Sequence, residues 1–330
     1  MPFYSNADAN SRAHWASAAA NIDVHNEMLQ AIVEHGIFSG SMFQANNWTT
    51  MKSTENNTNT IGWRMIGGTG VGYRSPGETL TPKRIVNEKV VMKVDKSIYT
   101  QIQTDFMDDW TAPDFTAEYT AEMAEAHALE YDLLHMTQLI KAGAWRAPAS
   151  IQDRYQPGIV RNMNGFNAAT DEGKANMIVN EHAKLIRDFS ARRTPLNNLI
   201  TLVTPDIYYY LTMHKERNNA LFQPLGVTND ANRRVIHMLN GVRVIECPIF
   251  PQAAVASSGF GQSFNLSADE VKASIIVFDP SVTLITPVAK ELHGFTTAIP
   301  HEQRTLITSV RMFNVGVKRG DRIGVLRTAA

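Results

Sequence analysis

The sequence predicts an α+β fold in which a projecting loop leads into a half-buried strand and then one long helix. Three features predict it. Residues 85–99 alternate with period two, residues 112–142 carry an unbroken helical pattern, and the second half mixes short apolar strands with amphipathic helices.

Taken in order, the first fifty residues hold an alanine-rich helical piece, Ala13–Ala20, and an amphipathic piece, Val24–Ile37, closed by Gly36 and Gly40. A polar run, Thr54–Thr60, opens into Ile61-Gly62-Trp63-Arg64-Met65-Ile66. The glycines Gly67, Gly68, Gly70 and Gly72 follow, then the turn Ser75-Pro76-Gly77-Glu78. So many glycines between two strand-like stretches predict a hairpin that must bend. In the strand over 85–99, Val90, Met92, Val94 and Ile98 share one side, while Lys89, Lys93, Asp95 and Ser97 share the other. Lysines on the outer side suit an edge or a solvated sheet face.

The helix opens on Thr111 as N-cap, with Pro113 in its first turn and Asp114 three residues after the cap. It runs to Ala142, before Gly143. Roughly 30 residues at about 1.5 Å each make a rod of about 45 Å. Asp114, Glu118, Glu122, Glu125 and Asp132 fall on one narrow stripe, and Phe115, Tyr119, Met123, Ala126 and Leu133 lie beside it toward a core.

A second helix is predicted over 171–193, with Met177, Ile178, His182, Leu185, Ile186 and Phe189 on one face and Pro195 after its end. Leu199–Val203 reads as a buried strand, Thr204-Pro205-Asp206 starts a third helix, and Val242–Ile245 and Ser274–Phe278 are further strands. A final strand spans Thr305–Val317.

The glycine-rich hairpin with "YRSPGETL", the strand "RIVNEKVVMKVDKSIYTQIQTDFMDDW" and the helix "EYTAEMAEAHALEYDLLHMTQLI" resemble, in that order, a tailed-phage major capsid protein of the Hong Kong 97 fold. The chain is most similar to those of short-tailed phages. "NNLITLVTPDIYYYLTM", "LNGVRVIECPIFP" and "SIIVFDPSVTLI" extend the resemblance through the second half. It implies an N-terminal arm (1–50), an extended loop (51–88) and a peripheral domain (89–170) with a spine helix over about 112–142. An axial domain (171–298) follows, and C-terminal strands (299–330) return to the peripheral domain. It implies a subunit that self-assembles into hexamers and pentamers of an icosahedral shell around double-stranded DNA. The virion capsid, assembled in a bacterial host's cytoplasm, is then its location. The expected partners are other copies, a portal protein, a decoration or cement protein, and packaged DNA held non-specifically. With no long coiled-coil segment before the arm, a separate scaffolding protein is also expected.

Composition agrees with that class. The single cysteine, Cys247, excludes an internal disulfide framework. No run of 18 apolar residues is present, so no membrane partner is expected. Met1-Pro-Phe-Tyr-Ser-Asn-Ala-Asp8 carries no basic-then-apolar leader pattern. The net charge of −1 hides an asymmetry: residues 1–145 carry ten bases against seventeen acids, and residues 146–330 carry twenty-one against fifteen. No base lies between Lys96 and Lys141, where nine acids do. A nucleic-acid grip needs clustered cations, so this is not a DNA-binding domain. Since the resemblance places the spine helix toward the shell interior, the stripe from Asp114 to Asp132 is expected to repel packaged DNA. The plainer reading of the stripe is a solvated helix face. Arg192-Arg193, Arg233-Arg234 and Lys318-Arg319 are candidate basic contacts between subunits.

Enzymatic readings find little support. The glycine cluster lacks the lysine and following helix of a phosphate loop. His127, Glu130, Asp132 and His135 share a helix, but a di-iron bundle needs its Glu-x-x-His motif on two helices. The histidines, including His14, His25 and His35, are expected to be surface or interface residues. Asp108-Asp109 reads as a pre-helix turn, Cys247 as a small buried apolar residue, and Tyr208-Tyr209-Tyr210 as axial-domain packing. No catalytic, cofactor or metal site is expected. Covalent joining of neighbours through lysines such as Lys52 or Lys83 is not expected either. The rival readings are an encapsulin-like compartment shell enclosing a cargo enzyme and a soluble α/β hydrolase.

Overall fold

The computed structural model describes residues 40–54, 58–80, 82, 84–106, 115–212 and 238–329. The Ala13–Ala20 and Val24–Ile37 pieces, the Thr111 cap, Asp108, Asp109, Asp114, Lys83, Arg233, Arg234, His14, His25 and His35 lie outside them. The described strands are β1 (Thr50–Ser53), β2 (Thr60–Ile66), β3 (Asn87–Lys93), β4 (Ile98–Asp105), β5 (Ile159–Met163), β6 (Ile200–Val203), β7 (Met238–Leu239), β8 (Val242–Glu246), β9 (Ala273–Phe278), β10 (Leu284–Ile299), β11 (Arg304–Phe313), β12 (Gly316–Val317) and β13 (Ile323–Thr328). The helices are α1 (Met42–Ala45), α2 (Phe115–Ala142), α3 (Asp171–Ala191), α4 (Pro205–Thr212) and α5 (Ala268–Val271).

The chain forms two compact units. The first comprises 1–59, 93–134 and 286–314. Its sheet has the order β1-β10-β11-β4, with β11 antiparallel to both neighbours. Strand β11 alternates half-buried and buried along its whole length, the period-two mark of a sheet covered on one face. The cover is α2: Met123 packs with Ile307 and Ile102, and Ala124 with Leu292.

The second unit comprises 60–92, 135–285 and 315–330. Its sheet runs β5-β13-β9-β6-β8-β7, with β13 parallel to β5, β6 parallel to β8, and the other pairs antiparallel. Every residue of β9 and β6 is buried, as befits central strands covered on both faces. Helix α3 starts where the sequence places it, with Thr170 Oγ1 accepting from Gly173 N–H. Its Ile178, Leu185 and Phe189 join Val203, Ile207, Leu211, Ile275 and Val277 in one core. β2 and β3 form a separate two-stranded hairpin.

Two expectations are corrected. The strand over 85–99 is two strands: β3 ends at Lys93, Asp95-Lys96-Ser97 carry no strand, and β4 begins at Ile98. The expected faces survive within each piece. The final strand over Thr305–Val317 is broken after Phe313, and β10 and β13 were not foreseen. The two compact units group the chain as follows. Residues 135–170 and 315–330 group with the second unit, and 286–298 with the first, because β10 pairs with β11 there while β13 sits between β5 and β9.

Candidate functional site

The glycine-rich segment projects from the second unit on β2 and β3. Its base is fixed from several sides. Gly67 N–H donates to Val86 O at 2.8 Å, and a Cβ on Gly67 would lie 2.5 Å from that oxygen, so only glycine fits there. Arg154 Nη1 donates to Ile66 O and Gly67 O, and Ser150 Oγ to Glu88 Oε2 at 2.7 Å. The tip is a turn in which Glu78 N–H donates to Ser75 O, Ser75 N–H donates to Glu78 Oε2 at 2.9 Å, and Gly77 takes φ +94°. Gly68, Gly70, Gly72 and Pro76 are exposed. Between base and tip the chain holds three apolar side chains in the open: Val71 at 85% exposure, Tyr73 at 99% and Leu80 at 75%. A cluster of this kind on a projecting loop marks an interaction surface.

On α2 the acidic stripe is shorter than expected. Glu118, Glu122 and Glu125 are exposed, but Asp132 is buried and bound. Its carboxylate accepts from Ser41 Oγ, from Met42 N–H at 2.7 Å and from Phe43 N–H at 3.2 Å. It thus holds the first turn of α1, whose own cap is Ser41. Burial pushes its pKa up, while these three donors pull it down. Ala126 and Leu133, expected in the core, are exposed, and Leu129 is open beside them.

The histidines on helices are likewise internal rather than at the surface: His127, His135 and His182 are all buried. His127 Nε2 lies 2.9 Å from Thr100 Oγ1 and 2.7 Å from Ser309 Oγ, which themselves share a 2.7 Å hydrogen bond. Burial first, then the nearby Arg311, lowers its pKa to about 4, so it is neutral at pH 7. His182 lies between Thr201 Oγ1 and Asn240 Nδ2. Both arrangements tie a helix to strands and leave no ring nitrogen facing solvent for chemistry. Cys247 is fully buried. Among the described residues, no group of three or more His, Cys, Asp or Glu is placed to hold a metal ion. No described helix is long and apolar enough to cross a membrane.

The basic candidates divide. Arg192 Nη1 donates to Pro157 O, and Arg319 makes a bidentate pair with Asp321 and lies over the Tyr155 ring. Arg193 is exposed at φ +55°, and Lys318 is half-buried. The exposure of Val71, Tyr73 and Leu80 was not singled out from sequence. The available signal was the presence of large apolar residues, without strand or helix period, inside a glycine-rich loop.

No protein-family model matches the sequence. No curated protein matches it either. Solved structures do. The mature capsid of bacteriophage PhiM1 is 29% identical, with a TM-score of 0.78 over 87% of each chain. This chain has the Hong Kong 97-like capsid fold. The capsid of cyanophage P-SCSP1u aligns with a TM-score of 0.75 at 16% identity, over 86% of this chain and 88% of that one. A virus-like particle from Pyrococcus furiosus aligns at 0.54 and 11% identity, over 92% and 99%. The capsid likeness makes this chain a structural protein, a major capsid subunit that self-assembles into a multi-copy shell, rather than an enzyme.

Proposed function

We propose that this subunit builds the icosahedral head of a double-stranded-DNA phage, closest in kind to the short-tailed phages, from hexamers and pentamers. The observation that carries the reading is the likeness to the PhiM1 mature capsid across 87% of both chains. The projecting hairpin is its physical counterpart. Tyr73, Val71 and Leu80 gain the free energy of leaving water only when another molecule covers them.

In this reading residues 1–50 are the arm and the β2–β3 hairpin is the extended loop. The first unit holds the peripheral domain with the 115–134 part of α2 in its spine, and the six-stranded sheet of the second unit is the axial domain. Association is the mechanism. Buried apolar area at loop and arm supplies most of the affinity, and the acidic first half against the basic second half steers register. Among the described residues, Arg193 and Lys318 are basic candidates without a side-chain ion pair. Arg233 and Arg234 stand as proposals on sequence alone. Glu118, Glu122 and Glu125, with Asp114, line the interior and keep packaged DNA loosely held, since like charge offers no counterion release. A scaffolding protein, a portal and a decoration protein complete the particle, which assembles in the bacterial host's cytoplasm. An encapsulin-like compartment shell is the weaker reading, because the phage capsids align at 0.78 and 0.75 and the Pyrococcus particle at 0.54.

The test is expression with and without the scaffold, followed by sedimentation and negative-stain imaging. Closed particles of uniform diameter are expected. A subunit that stays monomeric under both conditions contradicts the proposal.

A further inference from the structure

A notch of about 280 Å³ opens between Trp63 and Trp145 in the second unit, but it lies at the root of the projecting hairpin and belongs with that surface. The first unit carries a separate exposed face. Helix α2 covers one side of β10, β11 and β4. On the other side the strand pairing sets out rows of side chains. Tyr99, Val310 and His293 form one row, and Gln101, Thr308 and Phe295 the next. Tyr99 is 69% exposed and Phe295 45%. Neither row, nor the one that follows it, carries a carboxylate, ammonium or guanidinium group. Charges return at the ends of the face, and at one of them Arg304 Nε lies 3.5 Å from Glu302 Oε2.

The face is preset. The His293 and Phe295 rings stand edge to face at 4.4 Å, so each props the other. Gln101 Nε2 donates to Thr308 Oγ1 at 3.1 Å, which lays the amide across the strands between the two aromatic positions. With one N–H used, that amide still offers a second N–H and a carbonyl oxygen. Strands about 4.8 Å apart, rising about 3.4 Å per residue, put Tyr99 and Phe295 about 12 Å from each other. Three such rows cover roughly 250 Å². A standard protein interface needs about 800 Å² from each partner and an apolar centre. Here the face is smaller, and amide and hydroxyl groups separate the rings. It suits a ligand that carries no charge and alternates apolar with hydroxyl-bearing surfaces. The C–H side of a sugar ring stacks on an aromatic ring, its hydroxyls pair with amides and threonines, and a β-linked chain presents both along a flat ribbon.

We propose that this sheet face binds a neutral, β-linked polysaccharide of the kind that coats cell surfaces, laid across the strands. One sugar ring stacks on Tyr99 and a second on Phe295, while hydroxyls between them pair with Gln101 and Thr308. The inference rests on the shell reading. There the acidic side of α2 lines the interior, so the opposite side of the sheet that α2 covers turns outward. One contact of this size is weak, and its repetition over a multi-copy shell supplies the avidity.

Biolayer interferometry of assembled particles tests it, on sensors carrying galactomannan or hydroxyethylcellulose, with α-linked dextran and anionic heparin as comparisons. Binding to at least one of the β-linked polymers is expected, above that to dextran and heparin and unchanged by rising salt, because no ion pair is involved. Tyr99→Ala with Phe295→Ala lowers the apparent affinity about tenfold or more. Tyr99→Phe with Phe295→Tyr keeps both rings and retains the affinity within about threefold. Both variants keep the thermal midpoint of the unassembled subunit, because both side chains are exposed. Absence of binding to both β-linked polymers, binding to heparin alone, or unchanged affinity in the double-alanine variant overturns the inference and leaves the shell reading intact. Loss of assembly in that variant also overturns it, by giving the face to a neighbouring copy. Failure of the unmodified chain to form shells overturns the shell reading instead, and the same comparison on the unassembled subunit then decides the polysaccharide contact.

Discussion

Lowering the pH should weaken the first unit through one histidine, and His127→Gln should remove that sensitivity. His127 sits under α2 against β4 and β11, hydrogen-bonded to Thr100 and Ser309. Its pKa falls from 6.5 to about 4, chiefly through burial and then through Arg311. The charged and titratable groups packed around it are Arg311, which lies over the rings of Tyr131 and Phe313, and Glu291, 3.8 Å from that guanidinium. In the native state the ring stays neutral down to about pH 4, whereas in the unfolded chain it takes a proton near pH 6.5. Between these values the unfolded state binds more protons, so stability falls as the pH falls. Linkage puts the loss at about 2 kcal/mol by pH 5 and about 3 kcal/mol in full. Asp132 on the same helix acts in the opposite sense. Its raised pKa lets the native state take up a proton first, which favours folding as the pH falls toward the ordinary aspartate range. The His127 contribution is therefore read as a difference. Denaturant midpoints of the unassembled subunit from pH 7.5 to pH 5 should fall more steeply for the natural chain than for His127→Gln. Parallel curves would refute the placement of this imidazole as buried and neutral.

Asp132→Ala removes three hydrogen bonds to a charged acceptor and should cost about 3 kcal/mol, with proteolysis newly admitted near Ser41; an unchanged denaturant midpoint would count against the anchor. Gly158→Ala would put a Cβ 2.4 Å from the carbonyl oxygens of Ala142 and Gly143, so a loss of about 2 kcal/mol or more is expected, and a neutral result would contradict that packing. Glu118, Glu122 and Glu125 changed together to Gln should leave the subunit's stability within about 0.5 kcal/mol, because all three are exposed. In assembled particles the same variant should hold DNA more tightly and release it more slowly as salt is lowered; release indistinguishable from the natural shell would remove the interior-lining role.

Local chemistry was readable wherever the deciding partner was near in sequence. Thr170 caps Gly173 three residues on, so the start of α3 follows from the sequence. The period-two faces of β3 and β4 follow in the same way, although the break at Asp95-Lys96-Ser97 leaves that alternation intact and so does not show in the pattern. What failed depended on distant partners. Asp132 falls on the acidic stripe by helical spacing, and donors in the Ser41–Phe43 turn, Ser41 itself 91 positions away, draw it inward. His127 meets Ser309 across 182 positions. Strand β10 hides its period because its first five residues are all buried and only its later part alternates. The hairpin was legible as a loop with a turn, but not its exposed Tyr73 and Leu80, nor the Trp63–Trp145 notch, whose walls come from four separate stretches of chain.

The central claim is that residues 67–86 are finished only by a neighbouring copy. A density map of the assembled particle tests it most directly. It should show the hairpin extended from its own subunit, with Val71, Tyr73 and Leu80 covered by the next. A map in which the hairpin lies against its own subunit, or stays bare within a closed shell, would contradict the account.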